Sequence, residues 1–176
     1  VPVHLRDLLR TGRWAFSFDL GPRVTVVAGS SLSQGPNELS PEGQTRILGA
    51  DFKVKWQAAS TVRGWPFLSL AGEWLNPATG PASAPNPGAY GEISWGFRPG
   101  WVMGLRWDEA RGGNPLDPLG DHRQRQAANL TYYPSEFSKF RFQAEEDVAE
   151  HDGRPKVRRA MLQAEFMIGS HGAHAF

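Results

Sequence analysis

The run Arg159-Ala-Met-Leu-Gln-Ala-Glu-Phe-Met-Ile168 decides the fold of this chain. Its even-numbered residues are all apolar, and its odd-numbered residues include Arg159 and Glu165. Successive side chains of a β-strand point to opposite faces, so the alternation predicts a strand with one apolar and one polar face. The chain ends shortly afterwards with an aromatic residue, Phe176.

Length and composition exclude several classes of protein. The chain has 176 residues, enough for one domain, and a net charge of +1, which gives no bulk attraction to nucleic acid. It has no cysteine, so neither disulfides nor thiolate chemistry are expected. The 7 Trp, 20 Gly and 14 Pro are typical of many strands and turns. No apolar run reaches the ~18–20 residues of a transmembrane helix, whereas a barrel strand needs only ~10 alternating residues.

The same period of two recurs along most of the chain. Residues 1–12 carry leucines at helical spacing and are predicted to be an external loop or a short helix, and residues 13–176 are predicted to be the β-barrel segment. The predicted strands, about nine in all, are Trp14–Leu20, Arg23–Leu32, Arg46–Trp56, Phe67–Leu75, Gly88–Phe97, Trp101–Asp108, Arg123–Tyr133, Ser138–Glu145 and Arg159–Ile168.

The connections between these strands alternate between short and long. Outer-membrane barrels have this rhythm, with short periplasmic turns and longer external loops. The segment Gln57–Pro66 is predicted to be a connection of medium length and fits least well, and Glu146–Lys156 is predicted to be a charged loop. Large aromatic residues fall near strand ends, as in the aromatic girdles at membrane interfaces. The predicted girdle consists of Trp14, Trp56, Trp74, Trp95, Trp101, Trp107 and Tyr132.

The distribution of charge predicts which face points outward. The apolar faces carry no charge in mid-strand, and a charge facing lipid would cost ~2–4 kcal/mol near the midplane. We therefore expect lipid outside and a lumen of mixed sign, in which charged rings set selectivity or interior ion pairs hold the strands. The predicted lumen-lining residues are Asp51, Lys53, Lys55, Glu73, Glu92, Arg106, Asp108, Arg125, Lys139, Arg141, Glu145, Arg159 and Glu165. The alternative is a soluble, lipocalin-like barrel with the apolar faces inside.

Strand number and direction predict that the barrel is incomplete. If Phe176 lies in the periplasm, counting back places the start of the first strand on the external side. Closed bacterial barrels normally have an even number of strands. We therefore expect this antiparallel, up-and-down transmembrane β-barrel to be the carboxy-terminal part of a larger one, completed by the rest of a longer chain or by other membrane subunits.

Several phrases together resemble a known group of proteins. They are Leu48-Gly-Ala-Asp-Phe-Lys-Val-Lys-Trp56, Leu68-Ser-Leu-Ala-Gly-Glu-Trp74, Gly104-Leu-Arg-Trp-Asp108, Tyr133-Pro-Ser-Glu-Phe-Ser138, Phe140-Arg-Phe-Gln143 and Ile168-Gly-Ser-His-Gly-Ala-His-Ala-Phe176. The chain from about Arg46 onward resembles the carboxy-terminal half of a poorly characterised group of porin-like outer-membrane proteins, some of which are labelled TonB-dependent receptors.

The resemblance implies an integral protein of a bacterial outer membrane, with membrane lipid and the barrel-assembly machinery as partners. Phe176 would be the terminal residue that this machinery recognises. One departure is that the apolar alternation does not continue to the end, because polar or small residues hold the alternate positions Ser170, Gly172 and His174.

No motif for catalysis is present. Serine, histidine and aspartate occur, but no nucleophile elbow assembles them, so no enzyme activity and no cofactor are expected. His171 and His174 are weak candidates for a metal site, and a Gly-rich tail without a metal is the favoured interpretation. We expect a channel that passes small polar solutes or ions. The alternatives are a TonB-dependent-type transporter, which needs a plug domain, and the soluble ligand-binding barrel.

Overall fold

Nine antiparallel strands follow one another along the chain, and each pairs with its neighbour in sequence. They are seen in a computed structural model that describes residues 8–36, 43–62, 64–78, 87–111, 122–149 and 156–168. The strands are β1 (Arg10–Asp19), β2 (Val24–Pro36), β3 (Gln44–Val62), β4 (Trp65–Ala78), β5 (Gly88–Arg98), β6 (Trp101–Arg111), β7 (His122–Ser135), β8 (Ser138–Ala149) and β9 (Val157–Phe166).

The expectation of an all-β, antiparallel, up-and-down sheet is confirmed. β1 begins earlier than predicted, so Arg10–Gly12 belong to the strand and not to a preceding loop or helix. Of the rest of the predicted loop or helix, Leu8 and Leu9 precede the strand without regular structure, and residues 1–7 lie outside the described residues. Within the described ranges, the chain has no helix of the length and apolarity needed to cross a membrane.

Strands β1 to β8 are longer than the sequence predicted, β9 keeps its predicted length but lies two residues earlier, and two predicted connections are wrong. Residues 57–62 belong to β3, and β4 begins at Trp65, so this connection is short like the other turns at the same end. Glu146 and Asp147 belong to β8 and not to a charged loop, because both are held by ion pairs to β9. With these corrections, short and long connections alternate along the whole sheet.

Glycine allows the tightest turns at the short-connection end. Gly21 and Gly100 have φ angles of 81° and 80°, in the left-handed region that other residues rarely adopt. Gly100 follows Pro99 in the turn between β5 and β6, and its carbonyl accepts a hydrogen bond of 2.7 Å from the backbone amide of Tyr133. This bond ties the β5–β6 turn to β7.

The exposure of the two faces of the sheet is the reverse of that in a soluble protein, in which apolar side chains are buried and charged side chains are exposed. The apolar side chains are exposed, as shown by Leu105 at 59% exposure, whereas Glu145 on the polar face is 8% exposed. No second layer packs on either face in the described part of the chain. Side chains are more crowded on the inner face of a curved single layer than on its outer face, so we infer from the exposures that the sheet curves with its polar face inside.

The sheet is open among the described residues. β1 and β9 are its edge strands, and neither has a second partner strand. Because the strands alternate in direction, the first and ninth run the same way, toward the end that carries the short turns.

Candidate functional site

Cross-strand register places all the predicted lumen-lining residues on one face of the sheet, because residues directly opposite each other share a face. One row, the Asp51 row, crosses the strands through Asp51, Glu73, Tyr90, Asp108, Arg125 and Asp147. The next row toward the short turns, the Arg106 row, contains Lys53, Glu92, Arg106, Glu145 and Arg159. Lys55, Arg141, Lys139 and Glu165 continue this polar face toward the turns.

Arg106 is fixed at the centre of the polar face. Its Nε and Nη2 donate hydrogen bonds of 2.9 and 2.6 Å to Asp108 Oδ1, and its Nη1 lies 3.5 Å from Glu92 Oε2. The guanidinium carbon lies 3.9 Å from the centre of the Tyr90 ring, within the range of a cation–π interaction. One cation is therefore held by two carboxylates and an aromatic ring from β5 and β6.

Ion pairs also join β9 to β8 on the polar face. Arg159 Nε lies 2.7 Å from Glu145 Oε1, and Arg159 Nη2 lies 3.0 Å from Asp147 Oδ2. Asp147 is also 3.4 Å from Arg125 Nη2, and Lys139 pairs with Glu165 at 2.7 Å. These contacts favour one register between β8 and β9, because a slip would separate opposite charges.

Neutral polar groups complete the wall below these pairs. Thr131 is 1% exposed, and its hydroxyl accepts a hydrogen bond of 3.1 Å from Arg141 Nε and donates one of 3.3 Å to Asn129 Oδ1. Gln143 Nε2 donates a hydrogen bond of 3.0 Å to Glu145 Oε2. The buried polar groups in this part of the concave face are thus hydrogen-bonded, as is usual for buried polar side chains.

Several charged residues of the polar face have no counterion among the described residues; Lys55 contacts only the Phe67 ring, and Arg141 only the Thr131 hydroxyl. Glu73 and Lys53 form no ion pair and no hydrogen bond with any residue of the described ranges. Glu73 stands directly opposite Asp51, whose carboxylate is paired with Arg13. Part of the polar face is therefore internally neutralised, whereas the charges of Glu73 and Lys53 have no partner in the described ranges.

An aromatic cluster lies on the polar face near the short turns. Trp65 is 8% exposed, and its ring centre lies 4.9 Å from that of Phe67. Both rings lie over Gly96, where an added Cβ would collide with them. Lys55 Nζ lies 5.3 Å from the centre of the Phe67 ring. Trp65 belongs to the segment that was predicted to be a connection, and the face of the sheet on which its side chain lies was not predicted.

Sequence reasoning also missed several residues of the polar face. Arg13 and Asp147 were omitted because the predicted strands began at Trp14 and ended at Glu145. Both keep the odd numbering of the polar positions in β1 and β8, so extending the alternation would have found them. Tyr90 is even-numbered like Glu92, its neighbour on β5, and would have been found in the same way.

The predicted girdle residues lie on the exposed, apolar face, in two groups. Trp74 and Trp107 are the last apolar residues of this face toward the long connections, followed by Asn76 and Glu109, and Trp14 lies near the same border. Trp56, Trp95, Trp101 and Tyr132 lie toward the short turns. Trp101 stacks on Tyr132, with ring centres 4.6 Å apart.

The border of this apolar face moves from strand to strand in a regular way. Toward the long connections it ends at Leu48 on β3, before Arg46, and at Ala144 on β8, before Glu146. Cross-strand register connects Ala144 to Val54 on β3, six residues from Leu48. At the other end, Trp56 is in register with Leu162, but the apolar face of β9 continues to Phe166, four residues further.

Both borders therefore shift in the same direction, which defines a tilt. Six residues correspond to about 20 Å along a strand, and the five steps from β3 to β8 correspond to about 24 Å across the sheet. The border toward the long connections is level only if the strands are tilted by about 40° from the band's normal; the shift of four residues over the six steps from β3 to β9 at the other border corresponds to about 25°. Leu48 to Trp56 spans about 27 Å along β3, so the tilted band is about 21 Å tall.

Other predicted features are not described by the structure. Phe176, the candidate assembly signal, and the weak metal candidates His171 and His174 lie outside the described residues. Within the described ranges, no group of three or more histidine, aspartate or glutamate side chains could hold a metal ion.

The fold and its two faces define a class of structure: an antiparallel up-and-down sheet with an exposed apolar band and an ion-paired concave face. The chain is 26% identical, over 203 residues, to a protein of Aquifex aeolicus (strain VF5) described as an uncharacterized protein. The match covers 100% of this chain and 42% of that protein, so the chain spans less than half the length of this relative. No family model matches the chain, and no solved structure does.

Proposed function

We propose that the chain is a sector of a transmembrane β-barrel in a bacterial outer membrane, and that its polar face lines a channel for small polar solutes or ions. The observation that carries the proposal is the drift of the apolar band between β3 and β8. At the border toward the long connections the drift corresponds to a strand tilt of about 40° and a band about 21 Å tall, and bacterial barrels have tilts of ~35–45° and apolar bands of ~25 Å.

The exposure of the two faces argues against a soluble barrel. Such a barrel buries its apolar side chains in the interior, where they exclude water. Here Leu70, Ile93 and Leu105 are exposed on the convex face at the middle of the band. Monomeric soluble proteins rarely expose contiguous apolar patches of more than a few hundred Å². Contact with lipid removes the unfavourable free energy of exposing these apolar side chains to water.

The open edges of the sheet support the participation of further strands. Unpaired backbone groups of β1 and β9 cannot face hydrocarbon, because each would cost several kcal/mol. β1 and β9 run in the same direction, so closing the barrel with these two strands would create a parallel pair. A second copy related by rotation about the membrane normal would also create parallel pairs, between β9 of one copy and β1 of the other. An odd number of strands from the rest of a longer chain, or from another subunit, restores antiparallel pairing throughout.

Electrical recording tests the channel directly. The full-length protein, reconstituted in a planar bilayer under a potassium chloride gradient, is expected to conduct. Changing both Lys53→Glu and Lys55→Glu makes the wall more negative by four charges, so the reversal potential should move toward the potassium equilibrium potential.

The matched control is Arg158→Glu, which reverses a charge on the apolar side of the sheet beyond the band. It should change the reversal potential much less than the lysine variants do. Absence of conductance in the folded, inserted protein would reject the channel. Equal shifts for the lysine variants and Arg158→Glu would reject the assignment of the polar face to the lumen.

A further inference from the structure

Two arginines lie on the apolar side of the sheet just beyond the band. Register connects Arg10 on β1, Gln34 on β2 and Arg46 on β3 in one row. The next row toward the turns contains Leu32 and Leu48, which belong to the band. The two guanidinium groups are thus attached one row beyond the apolar border, on the side of the long connections.

Among the described residues, these two arginines have no acidic partner. Neither side chain forms an ion pair or a hydrogen bond with any residue that the structure describes. Other cations at this border are neutralised: Lys156 and Arg158 each lie 2.9 Å from Glu146. The charges of Arg10 and Arg46 are therefore available to an external anion.

The spacing of the two side chains fits a single anionic group between them. β1 and β3 are two strand spacings apart, about 9.6 Å, and two arginine side chains can converge across that distance. Gln34 lies between them and adds no charge, and its Nε2 is held by a hydrogen bond of 2.6 Å to Gln44 Oε1. A planar guanidinium group can bind two phosphate oxygens at once through two parallel hydrogen bonds, a geometry that lysine cannot reproduce.

We propose that Arg10 and Arg46 together bind the phosphate group of a membrane lipid, whose acyl chains lie against Leu32, Leu48 and Trp14. The inference rests on the proposed membrane location of the band. The lipid phosphates lie just beyond the border of that band, at the level of Arg46. With strands tilted by about 40°, Arg10 lies about 6 Å deeper than Arg46, and its long side chain can extend toward the interface to reach the same phosphate. The apolar residues immediately below them distinguish a lipid phosphate from a free phosphate ion, which would gain nothing from that surface.

Titration of the full-length protein in a neutral detergent tests the site, with bound lipid counted by native mass spectrometry. The probes are a short-chain phosphatidic acid, a phosphatidylcholine of the same chain length and inorganic phosphate. Phosphatidic acid should bind most tightly. Arg10→Gln and Arg46→Gln should each weaken its binding about tenfold, and the double variant about 100-fold, because each change removes charge-assisted hydrogen bonds.

Two further variants keep the test decisive. Arg23→Gln removes a cation at the opposite end of the sheet and should leave binding of phosphatidic acid unchanged. Arg46→Lys keeps the charge but loses the paired donors, so it should bind more weakly than the wild type and more tightly than Arg46→Gln.

Three results would overturn the site: equal affinity for the two lipids, equal affinity for phosphatidic acid and inorganic phosphate, or unchanged binding by the double variant. A protein that binds phosphatidic acid as expected but does not conduct would reject the channel and leave the lipid site standing. A protein that does not partition into detergent at all would reject the membrane location and the lipid site together.

Discussion

Replacing Leu70 with arginine tests which face of the sheet meets lipid. Leu70 is 44% exposed on the apolar face of β4, and the residues opposite it on the neighbouring strands are Val54 and Ile93. It lies four residues from Trp74, the last apolar residue of this face before Asn76. Four residues rise about 14 Å along a strand, which is about 10 Å along the normal of a bilayer crossed at ~40°.

At that depth a guanidinium group is far from both interfaces. An arginine on the lipid face costs ~2–4 kcal/mol near the midplane of a barrel protein. Because ~1.4 kcal/mol corresponds to a factor of ten, the folding equilibrium in a bilayer should fall about 30- to 700-fold for Leu70→Arg. The corresponding cost near an interface is only ~0–1 kcal/mol.

Two variants on the same strand provide the comparison. Glu73→Arg places the same side chain on the polar face, and Asn76→Arg places it on the apolar side beyond the band. The assay is a urea titration of folding into lipid vesicles, followed by tryptophan emission and by the mobility of the folded protein on unheated gels. The reasoning is refuted if Leu70→Arg costs no more than Glu73→Arg, or no more than Asn76→Arg.

Three further predictions follow from the faces and the register. Val54→Arg should cost ~2–4 kcal/mol and Ala144→Arg only ~0–1 kcal/mol, although both residues lie in one row; equal costs in the same urea titration would contradict the tilt. Arg159→Gln should destabilise by about 1–3 kcal/mol because it leaves Glu145 buried without its cation, and hydrogen exchange should show faster opening between β8 and β9, partly restored by adding Glu145→Gln. Gly96→Val should destabilise by about 1–3 kcal/mol, because its Cβ would collide with the packed rings of Phe67 and Trp65; Gly91→Val, whose Cβ would have no atom within 4 Å, should be close to neutral in chemical denaturation.

The alternation of side chains was sufficient to predict the strands and their two faces. Period-two patterns such as that of Arg46–Trp56 depend only on the geometry of one strand, and that geometry is local. The ends of the strands were harder to predict. Glu146 and Asp147 indicated a loop by their charge, but in the sheet Arg158 and Arg159 neutralise them from the neighbouring strand.

The pairing of particular residues could not be read from the sequence. The segment Ala58–Thr61 breaks the clean alternation of β3, and the register between β3 and β4 shifts there, between Gln57 and Val62. The drift of the apolar band could likewise not be seen before the register was known. The drift is measured between residues as distant in sequence as Val54 and Ala144. Their relative positions are known only from the successive cross-strand pairs between β3 and β8.

The two-faced strands also limit how the protein can change in length during evolution. Deleting one residue in the middle of a strand reverses every later side chain of that strand, so charges would be moved into lipid and leucines into water. Deleting two residues restores the facing and only shortens the wall. Insertions and deletions among homologous genes should therefore accumulate at 37–43, 79–87, 112–121 and 150–156, between the strands. Where they occur inside a strand, they should come in even numbers.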